Sequence, residues 1–347
     1  MQEAHTVKNL KEVSDFRVSP DSRLFSADGQ EIFAGWTTDI YFVKTREILR
    51  AMGLADTEVV AEVFAGKRGV LAGVPEVKNL LASTGVEVWA LPEGEWFEEK
   101  EVVLRIRGPY DRFGIYETAL LGILASSSGW ATAARQCKEA AGDKRVICFG
   151  ARHVHPAVAP VMERAAVVGG VDGASCILGA KLAGQEPVGT LPHAVMLIVG
   201  DTLDVALAYQ RAMPSGTPVI VLVDTFKDEA EEAIRVARAL GKDLAAIRLD
   251  TPSERGGVTP ALVREVRARL DQAGYRHVEI VVSGGLTPEK IQLLGQAGAD
   301  SFGVGSYISG ASPIDMTMDL KEVNGKPIAK RGRIPGLTPA PRLQRIL

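Results

Sequence analysis

Six polar residues in the second half of this sequence have the types and positions that ligand binding or catalysis needs. Each follows a short apolar run; they are Arg152, Thr190, Asp224, Asp250, Ser283 and Ser306. The carboxyl ends of parallel strands meet at one rim, where α/β proteins bind their ligands. A guanidinium, two carboxylates and hydroxyls beside glycines suit a ligand with phosphate and sugar groups. The spacing therefore predicts a barrel whose strand ends converge on one phosphorylated ligand.

Two glycine-rich stretches form the candidate phosphate site. SGGL at residues 283–286 and GVGS at residues 303–306 each lie at the end of an apolar run, and barrels commonly bind phosphate in the loops after their last two strands. Glycine lets backbone N–H groups approach an anion closely. The alternative is that these glycines only permit tight turns. The predicted phosphate contacts are Ser283, Gly284, Gly285, Gly303, Gly305 and Ser306.

Two acids, Asp224 and Asp250, follow consecutive apolar runs. Carboxylates at these positions could accept hydrogen bonds from ribose hydroxyls or hold magnesium through oxygen. Both roles suit a sugar phosphate. The alternative is that each acid caps the helix that follows it.

A basic segment follows the run RVICFG and provides further candidates. Arg152 would supply a fixed positive charge that clamps an anionic substrate, unless it is an arginine of a surface loop. His153 and His155 beside it are either substrate contacts or structural histidines. His193, in GTLPH, could be a nucleophile or a phosphate contact, because imidazole can carry a phosphoryl group reversibly; a histidine of the core is the alternative.

The elements that would position these residues are visible as apolar runs separated by helical patterns. Strands are predicted at residues 218–223, 244–249, 278–282 and 300–304, and helices at residues 228–240, 259–274 and 287–298. The strands are nearly continuous in hydrophobicity, as strands buried on both faces of a parallel sheet are. Alternation of this kind predicts an α/β fold with right-handed βα units, either an irregular TIM-like barrel or an open doubly wound sheet.

The first half of the sequence has a different pattern. Residues 57–110 contain alternating segments that favour an antiparallel sheet, and residues 111–141 are helical in character. Near the other terminus, Asn324-Gly325 marks a hairpin within residues 319–330. We expect an N-terminal α+β domain at residues 1–115, completed by residues 312–347, and an α/β barrel at residues 116–311.

Composition limits the classes of function. Among 347 residues the net charge is only −3 and 46% are hydrophobic, which disfavours nucleic-acid binding and fits an enzyme. The sequence contains no apolar stretch of about 18 residues, the length that a membrane span needs, and no signal peptide is evident. We expect a cytoplasmic protein without a membrane partner. The three cysteines, Cys137, Cys148 and Cys176, are expected to be free thiols rather than a disulfide or zinc site.

Taken in order, several motifs resemble a known family. GARHVHP, GTLPH, VDTFKDE, IRLDTP, SGGLTPEKI and GVGSYI, together with the N-terminal TTDIYFVKT, are similar to the motifs of nicotinate phosphoribosyltransferase, particularly its shorter prokaryotic forms. The resemblance covers nearly the whole chain. It implies a type II phosphoribosyltransferase fold and a homodimer, or a higher multiple, whose active sites are completed across the subunit interface.

The resemblance also implies a reaction and roles for named residues. Nicotinate and 5-phosphoribosyl 1-diphosphate would give nicotinate mononucleotide and diphosphate for NAD synthesis, with Mg²⁺ as cofactor and ATP as a further co-substrate. Arg152 would hold the pyridine carboxylate or the diphosphate, and Thr190 would lie beside the ring. Tyr41 of the neighbouring subunit would stack on nicotinate. His193 occupies the position that is transiently phosphorylated when ATP hydrolysis is coupled.

The sequence departs from the family in places, and rival functions remain. His153 stands where the family has the second arginine of a pair, and IRLDTPSERGG replaces the commoner LDSGD. The final residues carry no cysteine, so a metal-binding C-terminal segment is not expected. The rivals are quinolinate phosphoribosyltransferase, which adds a decarboxylation; a barrel that binds phosphoribosyl compounds without turnover; and an aldolase-type lyase, for which Lys181 is poorly placed in a helical segment.

Overall fold

The computed structural model describes residues 6–16 and 25–347, and its chain divides into two compact units. One unit contains the residues up to Thr132 together with Ser312–Leu347, and the other contains Ala133–Ala311. In the part of the chain that the structure describes, no helix has the length and apolar character needed to cross a membrane.

The strands are numbered in chain order. They are β1 (Glu58–Ala65), β2 (Gly69–Val70), β3 (Glu87–Ala90), β4 (Trp96–Phe97), β5 (Val102–Pro109), β6 (Arg145–Cys148), β7 (Gly173–Ala174), β8 (Val219–Leu222), β9 (Leu244–Leu249), β10 (Glu279–Ser283), β11 (Ser301–Val304), β12 (Met316–Val323), β13 (Lys326–Pro327) and β14 (Gln344–Arg345).

The α-helices are numbered in the same way. They are α1 (Leu10–Asp15), α2 (Gly29–Phe33), α3 (Ile40–Ala51), α4 (Val74–Leu81), α5 (Tyr110–Phe113), α6 (Glu117–Ala141), α7 (Ala159–Gly169), α8 (Ile177–Leu182), α9 (His193–Val199), α10 (Thr202–Ala212), α11 (Glu229–Leu240), α12 (Pro260–Gln272), α13 (Pro288–Ala297) and α14 (Ser306–Ser309). Short 3₁₀ turns lie at Gly114–Tyr116, Ala151–His153, Gly241–Asp243 and Ser253–Arg255.

The first unit is an α+β unit built on an antiparallel sheet with the strand order β13-β12-β1-β5-β3-β14. The predicted hairpin forms β12 and β13, and its turn residues Asn324 and Gly325 both have positive φ, as a tight two-residue turn requires. Strand β12 then pairs with β1. The hairpin therefore completes the sheet that the first half of the sequence predicts.

The second unit contains a six-stranded parallel sheet with the order β7-β6-β11-β10-β9-β8. Its strands carry buried apolar residues on both faces, among them Phe302 and Ile280, because helices cover a parallel sheet. The four predicted strands correspond to β8, β9, β10 and β11. The α/β prediction is thus confirmed, with a parallel half-barrel as its form.

The barrel is open on one side. Among the described residues, no ladder joins β7 to β8, which are the two ends of the sheet. The segment between these strands forms the short helices α8, α9 and α10. Lys181 lies on α8 and pairs with Glu186, so it does not occupy a strand position where a Schiff-base lysine would be expected.

Local sequence signals fix the helices that follow β8, β9 and β10. Asp228 caps α11, Thr259 caps α12 and Thr287 caps α13, each by accepting backbone N–H bonds in the first turn. The residue after Thr259 and after Thr287 is a proline, which suits the first helical position. These caps set where each loop ends, and so hold the strand-end residues at one rim.

Candidate active site

A cavity of about 630 Å³ lies at the carboxyl ends of the parallel strands. Most of the predicted site residues line it: Arg152, His153, Thr190, His193, Asp250, Ser283, Gly284, Gly285, Gly303, Gly305 and Ser306. They come from segments that span about 150 residues of sequence, and the parallel topology collects them at one rim. Asp224, His155 and Tyr41 are not among the lining residues.

Arg248 is the central lining residue that the sequence reading missed. Its guanidinium donates from Nη1 to Thr190 Oγ1 at 2.6 Å, from Nε to Ser283 Oγ at 2.8 Å, and from Nη2 to Asp250 Oδ2 at 2.8 Å. Ser283 Oγ in turn donates to Asp250 Oδ1 at 2.8 Å. One side chain thus ties three predicted site residues into a single network.

The signal that could have identified Arg248 is its place in the apolar run LAAIRL, which forms β9. A charged residue inside a strand of a covered parallel sheet needs a polar partner or a functional reason to be there. With 13% of its side chain exposed, Arg248 is largely buried, and it pairs with Asp250. The arginine within the strand therefore marks the site as clearly as the aspartate at its end.

Both oxygens of the Asp250 carboxylate are already hydrogen-bonded, one to Arg248 and the other to Ser283. These bonds orient the carboxylate toward the cavity. Asp250 lines the cavity, and its role toward a ligand stays a prediction. Its alternative role as a helix cap is not supported, because Thr259 caps the next helix.

The second glycine stretch is shaped by the aromatic ring of Phe149. A Cβ atom on Gly303 would lie 2.3 Å from Phe149 Cε2, and one on Gly305 would lie 2.7 Å from His153 Cε1. Both distances are far below van der Waals contact, so no side chain fits at either position. Gly303 and Gly305 are therefore needed for close packing at the rim, whatever they contact in a ligand.

The first glycine stretch needs its glycines for backbone conformation. Gly284 and Gly285 have φ values of +94° and +58°, and a Cβ on Gly284 would lie 3.1 Å from Asp250 Oδ1. Positive φ is readily adopted only by glycine. Lys290 Nζ donates to the Gly285 carbonyl at 2.9 Å, which keeps a positive charge next to this turn.

His193 and Asp224 form a pair at the edge of the cavity. His193 begins α9 and lies 3.2 Å through Nε2 from Asp224 Oδ2. Burial raises the pKa of the Asp224 carboxyl, while the contact with His193 opposes that rise. Asp224 contacts His193 and is not among the residues that line the cavity, so its expected contact with ribose or magnesium stays a prediction. It does not cap α11 either, because Asp228 does.

The protein atoms do not build a complete metal site. In residues 6–16 and 25–347, no group of three or more His, Cys, Asp or Glu side chains is close enough to hold a metal ion. Asp224 has one buried oxygen, Oδ1, without a hydrogen-bond partner, whereas Asp250 has neither oxygen unpaired. The donors present fit at most a metal ion that takes most of its ligands from a substrate.

The segment after β6 brings Arg152 and His153 to the cavity but not His155. Arg152 is exposed within the 3₁₀ turn Ala151–His153. His153 Nδ1 lies 3.3 Å from Ser309 Oγ, and His155 Nδ1 accepts from the backbone N–H of Ala157 at 3.1 Å. His155 thus stabilises its own loop, which matches the structural alternative for that residue.

Tyr41 belongs to the other unit, on helix α3. Its side chain is 55% exposed, and its ring lies 4.3 Å from that of Phe42. Desolvation raises the pKa of the Tyr41 hydroxyl, and the nearby charge of Asp39 adds to the rise. Tyr41 is therefore an exposed residue of α3 whose ring contacts Phe42.

Cys137 and Cys148 are buried and Cys176 is partly buried, and all three are free thiols. Burial raises the pKa of the Cys137 thiol to about 12.

A parallel βα half-barrel with glycine loops and polar strand ends around one cavity, together with an α+β unit, is the architecture of the type II phosphoribosyltransferases. Family models agree with this class along most of the chain. The chain belongs to the quinolinate phosphoribosyl transferase family, whose N-terminal domain matches residues 39–128 and whose C-terminal domain matches residues 130–319.

Individual relatives are named either nicotinate-nucleotide pyrophosphorylase or nicotinate phosphoribosyltransferase. A solved structure of nicotinate-nucleotide pyrophosphorylase from Pyrococcus furiosus is 48% identical, with a TM-score of 0.86 over 90% of this chain and 82% of the other. A nicotinate phosphoribosyltransferase of Mycobacterium tuberculosis is 34% identical over 69% of this chain and 54% of its own length. A probable nicotinate-nucleotide pyrophosphorylase [carboxylating] of Methanothermobacter thermautotrophicus is 25% identical over 80% of this chain and 97% of its own. The chain thus spans about half the length of the first of these curated relatives.

Proposed function

We propose that this protein is a nicotinate phosphoribosyltransferase that forms nicotinate mononucleotide and diphosphate from nicotinate and 5-phosphoribosyl 1-diphosphate. The observation that carries the proposal is the balance of charge in the cavity. Two arginines line the cavity among the residues that the structure describes: Arg248 pairs with Asp250, and Arg152 is exposed. A single available guanidinium suits a substrate with one carboxylate better than a dicarboxylate.

In this proposal each loop of the cavity binds a different part of the substrates. The stretches at residues 283–285 and 303–306 hold the 5-phosphate through backbone N–H groups, and Asp250 accepts hydrogen bonds from the ribose hydroxyls. Arg152 holds the pyridine carboxylate or the diphosphate, and Thr190 lies beside the ring. Binding of this kind places the ring nitrogen next to the anomeric carbon, where orientation alone lowers the barrier substantially.

The chemistry needs no protein nucleophile. The nicotinate nitrogen attacks the anomeric carbon of ribose as diphosphate leaves, and the transition state carries positive charge on the sugar. The Asp250 carboxylate, fixed by Arg248 and Ser283, favours that charge because it needs no reorganisation when the charge develops.

Magnesium enters this proposal with the substrate. A divalent ion bound to the diphosphate would supply positive charge to the leaving group. Asp224 and Asp250 were the expected protein ligands; Asp250 is already hydrogen-bonded at both oxygens, so we expect the diphosphate to supply most of the ligands. Coupling to ATP would work through His193, whose side chain is 38% exposed and is held by Asp224.

The proposed assembly is a homodimer in which Tyr41 of each copy stacks on the nicotinate held by the other. The exposed ring on α3 supports this arrangement. Mixing inactive Tyr41→Ala subunits with inactive Asp250→Asn subunits should restore activity, because one of the two sites then contains both wild-type residues. Failure of the mixture to regain activity, with mixed dimers present, would contradict a shared site.

Quinolinate phosphoribosyltransferase activity is the second candidate, and the names of the family models and of the Pyrococcus structure favour it. Incubation with radiolabelled nicotinate or quinolinate, 5-phosphoribosyl 1-diphosphate and Mg²⁺, with and without ATP, separates the candidates. Mononucleotide from nicotinate supports our proposal. Mononucleotide and CO₂ from quinolinate alone would replace it, and binding without turnover would indicate a non-catalytic protein. Nicotinate turnover at the same rate without ATP would remove the phosphohistidine role of His193.

A further inference from the structure

Glu163 lies outside the cavity yet contacts two of the loops that form it. This glutamate is on helix α7 and is fully buried. Its Oε1 accepts from the backbone N–H of Ala151 at 3.1 Å and from Ser175 Oγ at 2.9 Å, and its Oε2 accepts from the backbone N–H of Cys176 at 2.5 Å. Ala151 and Ser175 both line the cavity.

The chemistry of these three contacts requires a carboxylate. All three partners are donors, and a carboxylate is the side chain that accepts at both of its oxygens. An amide of the same shape would place an NH₂ group against at least one donor. Because a buried donor without an acceptor is unfavourable, glutamine cannot replace glutamate here without moving a loop.

The packing of α8 on α7 brings the second loop to Glu163. A Cβ on Gly179 would lie 3.1 Å from Glu163 Cβ and 3.1 Å from the Pro160 carbonyl oxygen, so the helices can approach this closely only because residue 179 is glycine. Ser175 and Cys176 immediately precede α8. The loops after β6 and β7 are thereby joined through a single side chain.

We propose that Glu163 is a positioning residue that fixes the turn carrying Arg152 and thereby sets the affinity for the anionic group that Arg152 binds. The 3₁₀ turn Ala151–His153 begins at the residue whose N–H Glu163 accepts. The hydrogen bond from the Ala151 N–H to Glu163 fixes the direction of the backbone on the N-terminal side of Arg152. Without it, the guanidinium loses the fixed geometry on which charge-assisted pairing depends. This inference rests on the proposed function only in assuming that Arg152 faces a substrate anion.

The test is a double-mutant cycle read by ligand binding. Wild type, Glu163→Gln, Arg152→Ala and the double variant are compared by calorimetry for binding of 5-phosphoribosyl 1-diphosphate, nicotinate and quinolinate, with Mg²⁺ present. Arg152→Ala identifies the ligand that Arg152 binds. We expect Glu163→Gln to weaken the binding of that same ligand by about tenfold, which corresponds to ~1.4 kcal/mol. The affinities for the other ligands should stay within about twofold of wild type. In the double variant the two losses should not add, because Glu163 acts through Arg152.

Two further variants separate positioning from general stability. Ser175→Ala removes one of the three donors and should weaken binding of the same ligand by about threefold, a smaller loss because the two backbone donors to Glu163 remain. This variant keeps the test decisive if Glu163→Gln does not fold. Glu232→Gln is the matched control, because Glu232 is also fully buried but pairs with Arg235 on α11. It should lower the melting temperature and leave all ligand affinities unchanged.

The proposal is overturned if Arg152→Ala weakens binding of no ligand, if a folded Glu163→Gln or Ser175→Ala variant weakens binding of a different ligand or of none, or if the losses in the double variant add fully. These outcomes are read from binding, so they are distinct from failure of the proposed function, which would appear as absent nicotinate turnover by the wild-type protein.

Discussion

Removal of the Arg248 guanidinium is the most direct test of how the cavity is organised. Arg248→Met keeps most of the side-chain length and deletes the hydrogen bonds to Thr190, Ser283 and Asp250. Asp250 would keep only its bond from Ser283. We therefore expect a folded protein in which the Asp250 carboxylate is no longer held in one direction.

The size of the effect follows from the contacts. All three bonds have the charged guanidinium as donor, and each hydrogen bond to a charged group contributes about 1.5–3 kcal/mol, so together they amount to roughly 5–9 kcal/mol. Part of this is regained, because Asp250 is 20% exposed and can be hydrated. If about 2.7 kcal/mol is lost from the transition state, kcat/KM falls about 100-fold.

The assay is the initial rate of mononucleotide formation at varied 5-phosphoribosyl 1-diphosphate, with thermal melting of the same samples. Arg235→Met is the matched control, because Arg235 binds Asp201 and Glu232 in the same unit without lining the cavity. It should lower stability and leave kcat/KM within about twofold. An Arg248→Met enzyme within about threefold of wild type, with both proteins folded, would refute the network as the organiser of the site.

Three further predictions concern charge, packing and pH. Asp250→Asn preserves shape but removes the charge beside ribose, so kcat should fall about 100-fold or more in the same assay; an unchanged rate would leave this acid without a catalytic role. Gly303→Ala places a Cβ 2.3 Å from Phe149, so the melting temperature should fall and affinity for 5-phosphoribosyl 1-diphosphate, measured by calorimetry, should drop at least about tenfold; normal values would show that the ring moves freely. Burial raises the pKa of Glu117, which accepts from Tyr110, to about 7. The stability contributed by its protonated form is complete below about pH 4.3 and is lost as pH rises through 7. In urea unfolding, the free energy of unfolding of the wild-type protein should therefore fall by about 1–2 kcal/mol relative to that of Glu117→Gln between pH 5 and pH 8, after allowance for solvent screening. The same pH dependence of this free energy in both proteins would contradict the prediction.

Much of the fold followed from the sequence because its signals are local. The run at Leu244–Leu249 is β9 without any shift in its bounds, and the helix predicted from Asp228 starts one residue later because Asp228 is its cap. The open side of the barrel was not foreseen. The open side depends on which strands distant in sequence pair with each other, and no local pattern in residues 175–218 encodes this pairing.

The site was predicted in its membership more than in its geometry. Strand-end residues such as Asp250 and Ser283 were singled out because a polar residue that directly follows an apolar run can be recognised in the sequence alone. Arg248 was missed because it was counted within such a run, and the direction of a strand side chain depends on register. The position of Asp224 behind His193 likewise depends on where α9 begins relative to β8, which involves contacts across about 30 residues.

The pairing of β1 with β12 has a consequence for biosynthesis. These strands lie roughly 250 residues apart in sequence, and β14 adds a further pairing with β3. As the ribosome releases the chain, the residues of the half-barrel emerge complete while the N-terminal sheet still lacks these strands. Early-made strands with unpaired edges are prone to wrong associations. Strands β12 and β14, which are translated after the half-barrel, therefore decide when the first unit can finish folding, the reverse of the usual order in multidomain chains.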